Sequence, residues 1–387
     1  MSQSHPAVEP VVTILLKNCH QYRLAFFEHL RAILTSKGIT LRVVVGGGLK
    51  EDAAKGDTAR LDWAEERAFR TFKVKGTTLL WQPGFDLARS SDLIITEQAS
   101  KQLFNIPLVF GQRLLGTRHA FWGHGKNFQS SVEGNRGERL KSTLTKKTHW
   151  FFAYNHMSAQ AAVELGMSPD RVTPVMNATD TTHLRQVRSA LPADTEQQVR
   201  AELGLSSGPV GIYVGGIYGQ KRPKFLMETA QKIRDLRPDF QLIVIGGGSE
   251  ESIVREAQAN ADWIHHVGPI YGDERVRLAS VASVQLMPGL LGLNVVDAFA
   301  LGIPTVTTAI DYHSPEIEYI VDGVNGLIAP ADSSPESFAD VVVSLLNDEE
   351  TLTRLHLGAE IAGQELSIED MAQRFADGVV QALLHDK

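Results

Sequence analysis

A single cysteine, Cys19, stands in 387 residues. No disulfide can form within the chain, and a reducing compartment is the expected setting. Long apolar runs are also missing, since nowhere do about 18 apolar residues stand together. The short run Val11–Leu16 near the start is followed by no small-residue cleavage pattern. Neither a secretion signal nor a membrane-spanning helix is expected, and the expected location is cytoplasmic. The usual signatures of metal and triphosphate chemistry are absent as well: there is no Asp-x-Asp pair, no phosphate loop ending Gly-Lys-Ser/Thr, no Cys-x-x-Cys and no His-Glu-x-x-His. The neighbours His265 and His266 fall in a strand-like segment, where successive side chains point to opposite faces, which argues against joint ligation. No metal and no resident cofactor are expected.

Charge is distributed unevenly. The chain carries a formal net charge of −7, yet residues 1–188 hold 25 Lys and Arg against 16 Asp and Glu, while the remainder holds 13 against 29. A basic first half suits approach to something anionic, and Arg136, Arg139, Lys141, Lys146 and Lys147 form its densest cluster. That cluster fits a solvated helix face equally well. Nucleic acid is disfavoured, because no zinc-finger, helix-turn-helix or aromatic-basic RNA motif accompanies the charge.

A length of 387 residues exceeds the roughly 250 to 300 at which one core stops growing, so two domains are expected. Three apolar, β-branched runs end in glycines: Leu41 to Val45 before Gly46-Gly47-Gly48, Ile212 to Val214 before Gly215-Gly216, and Leu242 to Ile245 before Gly246-Gly247-Gly248. Such runs read as buried parallel strands ending in tight turns. Helical patterns alternate with them over 22–34, 158–165, 225–236, 252–259 and 338–346. The alternation predicts an α/β protein of two Rossmann-like, doubly wound domains facing each other across a cleft, with ligands at the carboxyl ends of the strands. The polar stretch 185–207 predicts the boundary, giving a first domain over 1–188 and a second over 206–366. The last helical pattern, 367–387, can belong to either and is a candidate for crossing back to the first domain.

Two segments carry the chemistry. In the first, Tyr213-Val214-Gly215-Gly216 leads through Gly219-Gln220 to Lys221-Arg222-Pro223 and a helix. Glycines after a strand let backbone N–H groups meet a phosphate, and Lys221, beside Arg222, supplies full positive charge; a surface lysine on an ordinary turn is the equally weighted alternative. In the second, a strand ending at Met287-Pro288 is followed by Gly289-Leu290-Leu291-Gly292-Leu293-Asn294 and a helix closed by Gly302. The loop 289–294 is expected to present free N–H groups to a phosphate. Asp297, early on that helix, is a candidate acceptor for a ribose diol or else a helix N-terminal acid favoured by the macrodipole.

In this order and spacing the two segments resemble the donor-binding half of glycosyltransferase family 4. Asp297-Ala298-Phe299-Ala300-Leu301-Gly302-Ile303-Pro304 is similar to the family's Ala-x-Ala-x-Gly-x-Pro ending, and Pro315-Glu316 and 322–327 are similar to its closing pattern. Three positions depart: Gly289 stands where the family usually has its first glutamate, Asp297 shortens the second, and Gly216 stands where an arginine commonly follows the first Val-Gly. In the first half the resemblance runs through Tyr22-Arg23, the segment Phe121-Trp122-Gly123-His124-Gly125-Lys126-Asn127, Ala153-Tyr154-Asn155 and 175–180. Here His124 resembles the family's strand-end histidine beside the sugar. Arg23, Lys126 and Asn127 are weaker acceptor-side candidates.

The resemblance implies a GT-B fold and a retaining transferase. A nucleotide-diphosphate sugar would serve as co-substrate, and a saccharide or lipid-linked acceptor would receive the sugar. Lys221 and the loop amides near 289–292 would neutralise the leaving group, and His124 would contact the sugar. The basic first half is compatible with peripheral contact at the inner face of an anionic membrane. A sugar-nucleotide epimerase and a non-enzymatic two-domain solute-binding protein stand as the alternatives.

Overall fold

The computed structural model describes residues 9–47, 59–74, 76–126 and 136–386. The chain divides into two compact units, Met1–Asn177 with Ile368–Lys387, and Ala178–Ser367.

The first unit is built on a seven-stranded sheet. Its strands are β1 (Val11–Leu16), β2 (Thr40–Val45), β3 (Glu65–Glu66), β6 (Leu93–Glu97), β7 (Arg118–Gly123), β8 (Trp150–Ala153) and β9 (Val172–Pro174), in the order β3-β2-β1-β6-β7-β8-β9. Every pairing between them is parallel. A separate antiparallel hairpin pairs β4 (Arg70–Val74) with β5 (Thr77–Trp81). Val12, Ile14, Ile94, Ile95, Ala120 and Phe151 are fully buried, or nearly so, because a parallel sheet is covered on both faces. The strand order reverses at β1 and β6, which makes that point the switch of the sheet.

The closing helix Ile368–Leu384 packs in this first unit. Phe375 stacks on Phe152 with centroids 4.2 Å apart and meets Trp122 and Phe26 edge-on. Gly378 lies so close to Thr173 and Phe152 that a Cβ there would stand 2.6 Å from the Thr173 hydroxyl. Burial of this aromatic cluster gives the helix its place.

The second unit carries a six-stranded parallel sheet of β10 (Val210–Val214), β11 (Gln241–Ile245), β12 (Ile264–Gly268), β13 (Val284–Met287), β14 (Thr305–Thr308) and β15 (Gly326–Ala329), in the order β12-β11-β10-β13-β14-β15. Its switch lies at β10 and β13. Helices such as Pro223–Leu236 and Pro335–Asn347 bury apolar faces that include Leu226, Ile233, Phe338 and Val342. Where β10 and β11 end, the backbones approach so closely that a Cβ on Gly246 would overlap the Gly215 carbonyl oxygen, and Gly246 itself sits at φ +151°.

The domain limit differs from the sequence expectation. The first unit's leading segment ends at Asn177 instead of residue 188, because the helix Thr181–Ala190 belongs to the second unit. There Thr181 Oγ1 donates to the Leu366 carbonyl over 3.1 Å, and the Arg185 guanidinium donates to the Gly363 carbonyl over 2.5 Å. Polar composition marked 185–207 as a linker. These side-chain anchors, made to residues some 180 positions away in sequence, instead make its first part a structural helix.

Candidate functional site

In the second unit the two segments singled out from sequence meet at the sheet's switch. Lys221 and Arg222 follow β10, and the loop 289–293 follows β13. The two are joined by a hydrogen bond from the Leu290 N–H to the Gln220 carbonyl at 2.8 Å. Approach is so close that a Cβ on Gly289 would stand 2.5 Å from the Lys221 carbonyl oxygen and 2.6 Å from that of Gln220. A glutamate at this position would need the loop rebuilt, which gives the departure at Gly289 a steric reason.

Lys221 is 7% exposed, and its Nζ donates to the Leu290 carbonyl over 2.5 Å. Burial pulls its pKa down to about 8, against which the buried Glu316 carboxylate acts to raise it. Arg222 takes a left-handed backbone, φ 55°, stacks its guanidinium over the Phe225 ring at 3.9 Å, and donates to the Pro288 carbonyl at 3.2 Å. The strand-end glycines are tied by hydrogen bonds: Gly215 N–H donates to the Ile245 carbonyl over 3.0 Å, and Tyr213 Oη donates to the Gly216 carbonyl over 2.7 Å.

Two expectations need correction. The loop 289–294 was expected to hold open amides. The Leu290 N–H is taken by Gln220, the Leu291 N–H by His313 Nδ1 at 3.0 Å, and the Gly292 N–H by Asn294 Oδ1 at 3.1 Å. Leu290 and Leu291 are themselves buried, and Leu293 caps the helix Asn294–Ala300, its carbonyl accepting from Val296 at 3.0 Å. Buried N–H groups seek partners, and here the protein supplies them. Asp297 is likewise engaged on both oxygens: Thr179 Oγ1 donates to Oδ1 at 2.6 Å, and Arg275 pairs with Oδ2 at 2.9 Å. In this structure it anchors the helix and offers no open diol acceptor.

Two further residues, His313 and Glu316, border this loop and Lys221. His313 Nε2 lies 2.6 Å from the Thr308 carbonyl, so that nitrogen carries the proton and Nδ1 accepts from Leu291. Burial lowers its pKa, so the ring is neutral. The only sequence signal for either residue is Pro315, which opens the short helix Pro315–Tyr319.

In the first unit His124 follows β7. Its ring packs edge-on against Tyr154 at 4.2 Å, and burial, with Lys141 and Arg23 nearby, takes its pKa down to about 3. The imidazole is neutral at physiological pH. Around it opens a cavity of about 560 Å³. Lys17, Glu97, His124 and Tyr154 stand just past or at the carboxyl ends of β1, β6, β7 and β8, so the cavity lies at the switch of this sheet as well. Arg23, expected on the acceptor side, is buried behind that wall: its Nη2 donates to Tyr154 Oη at 2.9 Å and its guanidinium lies 4.0 Å from the Trp122 ring centre. It orders the wall without opening to a ligand. Lys126 is exposed beyond Gly125, and Asn127 lies outside the described residues.

Residues 208–348 match the family model described as "Glycosyl transferases group 1". Among curated proteins, the D-inositol 3-phosphate glycosyltransferase of Xylanimonas cellulosilytica is 29% identical over 235 residues, 56% of this chain and 50% of that one. The α-D-kanosaminyltransferase of Streptomyces kanamyceticus is 27% identical over 173 residues, 42% of this chain and 44% of that one. The chain thus spans about half the length of the curated relatives it matches. Among solved structures, Anabaena HepE in complex with UDP superposes with a TM-score of 0.71 at 14% identity, covering 96% of this chain and 99% of that one, a likeness of fold. The matched stretch contains Lys221, Arg222 and the 289–297 segment and is similar to group 1 glycosyltransferases, and the two units, each wound about a parallel sheet, share the GT-B fold of the solved neighbours.

Proposed function

We propose that the protein transfers a sugar from a nucleotide-diphosphate donor to a saccharide or lipid-linked acceptor, with retention of configuration at the anomeric carbon. The observation that carries this reading is the cation pair Lys221–Arg222, set at the switch of the second unit's sheet within the stretch that matches the group 1 family. A diphosphate leaving group gains charge as the glycosidic bond breaks, and a preorganised ammonium and guanidinium stabilise that charge most where water is excluded. The sequence carries no Asp-x-Asp pair, and charge neutralisation by these two side chains without a metal is part of the proposal.

The amides of 290–292 contribute only if the loop exchanges its internal partners when donor binds. Neutral His124 supplies a hydrogen bond to a sugar hydroxyl. HepE was solved with UDP, with UDP-glucose, and with UDP and glucose, which makes uridine donors the first to test.

For the acceptor side, helix Asn105–Leu115 exposes Phe110 and Leu114, at 56% and 93%, one turn apart. Lys147 reaches over the Phe110 ring at 5.9 Å, with Lys146 and Arg113 exposed alongside. Apolar side chains ringed by cations suit the surface of an anionic bilayer. Peripheral binding there is the part of this reading that concerns location.

The test is a thermal-shift panel of nucleoside diphosphates and their sugars, followed by turnover and product analysis. A donor that binds only the folded chain raises its melting temperature. Lys221→Ala is expected to lower kcat strongly because its interaction strengthens in the transition state. Wild-type turnover by that variant removes Lys221 from the mechanism, and an inverted anomeric signal in the product's NMR spectrum rejects retention.

A further inference from the structure

Two neighbouring parallel strands set His124 beside Tyr154. β7 and β8 pair with Gly123 opposite Ala153, so the residues that follow them, His124 and Tyr154, leave the sheet side by side. Their rings meet edge-on with centroids 4.2 Å apart. The backbone around each is fixed locally. The Tyr154 N–H donates to the Gly123 carbonyl at 3.2 Å, and the Tyr154 carbonyl accepts from the Asn177 N–H at 2.6 Å. On the histidine side, Gln98 Nε2 donates to the Gly125 carbonyl at 2.9 Å and the Lys126 N–H to the His124 carbonyl at 2.9 Å. What these bonds leave free is the swing of the two rings about their side-chain torsions.

Arg23 removes that freedom for Tyr154. A guanidinium can only donate, so the phenol oxygens it meets are acceptors: Nη2 donates to Tyr154 Oη at 2.9 Å and Nε to Tyr22 Oη at 3.2 Å. Its carbon also lies 4.0 Å from the Trp122 ring centre. Among the described residues it forms no ion pair with a carboxylate, Glu97 acting on it only through its field. A cation held out of water without an ion pair costs free energy, and an apolar chain of similar length would fill the same space without that cost. What the apolar chain lacks is the hydrogen bond that pins the far end of the Tyr154 ring.

We propose that Arg23 is a positioning residue for the reaction: it clamps the Tyr154 phenol, and the clamped ring holds the His124 imidazole in the orientation that meets the sugar. The proposal rests on the transferase reading above, which gives His124 that contact, and adds the side chain that aims it. Arg23 itself is buried and acts only through the ring it holds.

The clamp is read first without catalysis, from the His124 ring resonance in the NMR spectrum of the full chain carrying isotope-labelled histidine, identified by its loss in His124→Gln. Burial keeps this ring neutral at neutral pH, so a change in its resonance there reports orientation and not charge. In Arg23→Met the resonance is expected to move or broaden as the Tyr154 ring is released. Tyr154→Phe keeps the ring and removes only the clamped oxygen, and is expected to do the same. Arg23→Lys can still donate to that oxygen and is expected to recover the parent position in part. Turnover is then measured with UDP-glucose as the probe donor and water as its acceptor. Arg23→Met is expected to lower kcat about tenfold or more, as misplacement of a contact group does, with KM within about twofold of the parent. Because both single changes break one clamp, Arg23→Met combined with Tyr154→Phe is expected to lose no more than either alone. Losses that add, or a His124 resonance unmoved in both single variants, overturn the proposal. So does an Arg23→Met protein that loses only melting temperature, which marks the side chain as structural. If the parent chain fails with UDP-glucose, the donor reading above loses that sugar nucleotide, whereas the resonances decide the clamp by themselves.

Discussion

At the scale of the residue, Lys221 is the group whose state should be visible in kinetics. In the proposed mechanism its ammonium is the form that neutralises a diphosphate, and burial brings its pKa to about 8. The ratio kcat/KM reports the free enzyme, so it is expected to fall as pH rises through about 8, since deprotonation removes the charge. Glu316 favours the protonated form, so Glu316→Gln lowers the lysine pKa further and moves the alkaline limb to lower pH. A pH profile of both proteins checks this, and coincident limbs refute the coupling.

Asp297 behaves differently from its first assignment. With Thr179 and Arg275 on its oxygens, Asp297→Ala strands a largely buried guanidinium and is expected to cost about 2 kcal/mol in the absence of any ligand. Urea unfolding of the ligand-free protein measures it. A loss seen only in donor affinity would restore the ribose role.

At the scale of the element, the loop after β13 and the closing helix each depend on close packing. Gly289→Ala places a methyl group against the Lys221 and Gln220 carbonyls. The loop must then shift, at an expected cost of about 1 to 3 kcal/mol, read as a lower denaturation midpoint. Phe375→Ala empties the centre of the aromatic cluster formed with Phe26, Trp122 and Phe152. It is expected to cost about 3 to 5 kcal/mol, measured by the unfolding of the first unit. Both sites were opaque in sequence for the same reason. The family resemblance marked Gly289 as standing in place of a glutamate and periodicity gave the last helical pattern, but the partners that define them lie far away along the chain.

At the scale of the whole molecule, the proposed membrane contact, for which charge asymmetry is the motive, is assigned in that proposal to the exposed pair Phe110 and Leu114. Replacing both by Ala is expected to reduce binding to anionic vesicles by about tenfold or more, as two large apolar side chains lose their burial. Co-sedimentation with phosphatidylglycerol vesicles at low and high salt tests it. Binding by the double variant equal to that of the parent rejects this helix as the contact.

Sequence by itself determined the α/β class, the two parallel sheets, the place of Lys221 in the glycine-rich turn after β10 and that of His124 at the end of β7, because glycine-terminated apolar runs alternating with helices are local patterns. Tertiary structure alone decided three further things: that Thr181–Ala190 belongs to the second unit, that the amides of 290–292 are already paired, and that Lys17, Gln98, Trp122 and His124 wall one cavity. The physical reason is that hydrogen-bond satisfaction and close backbone approach are relations between residues distant in sequence, and no local pattern records them.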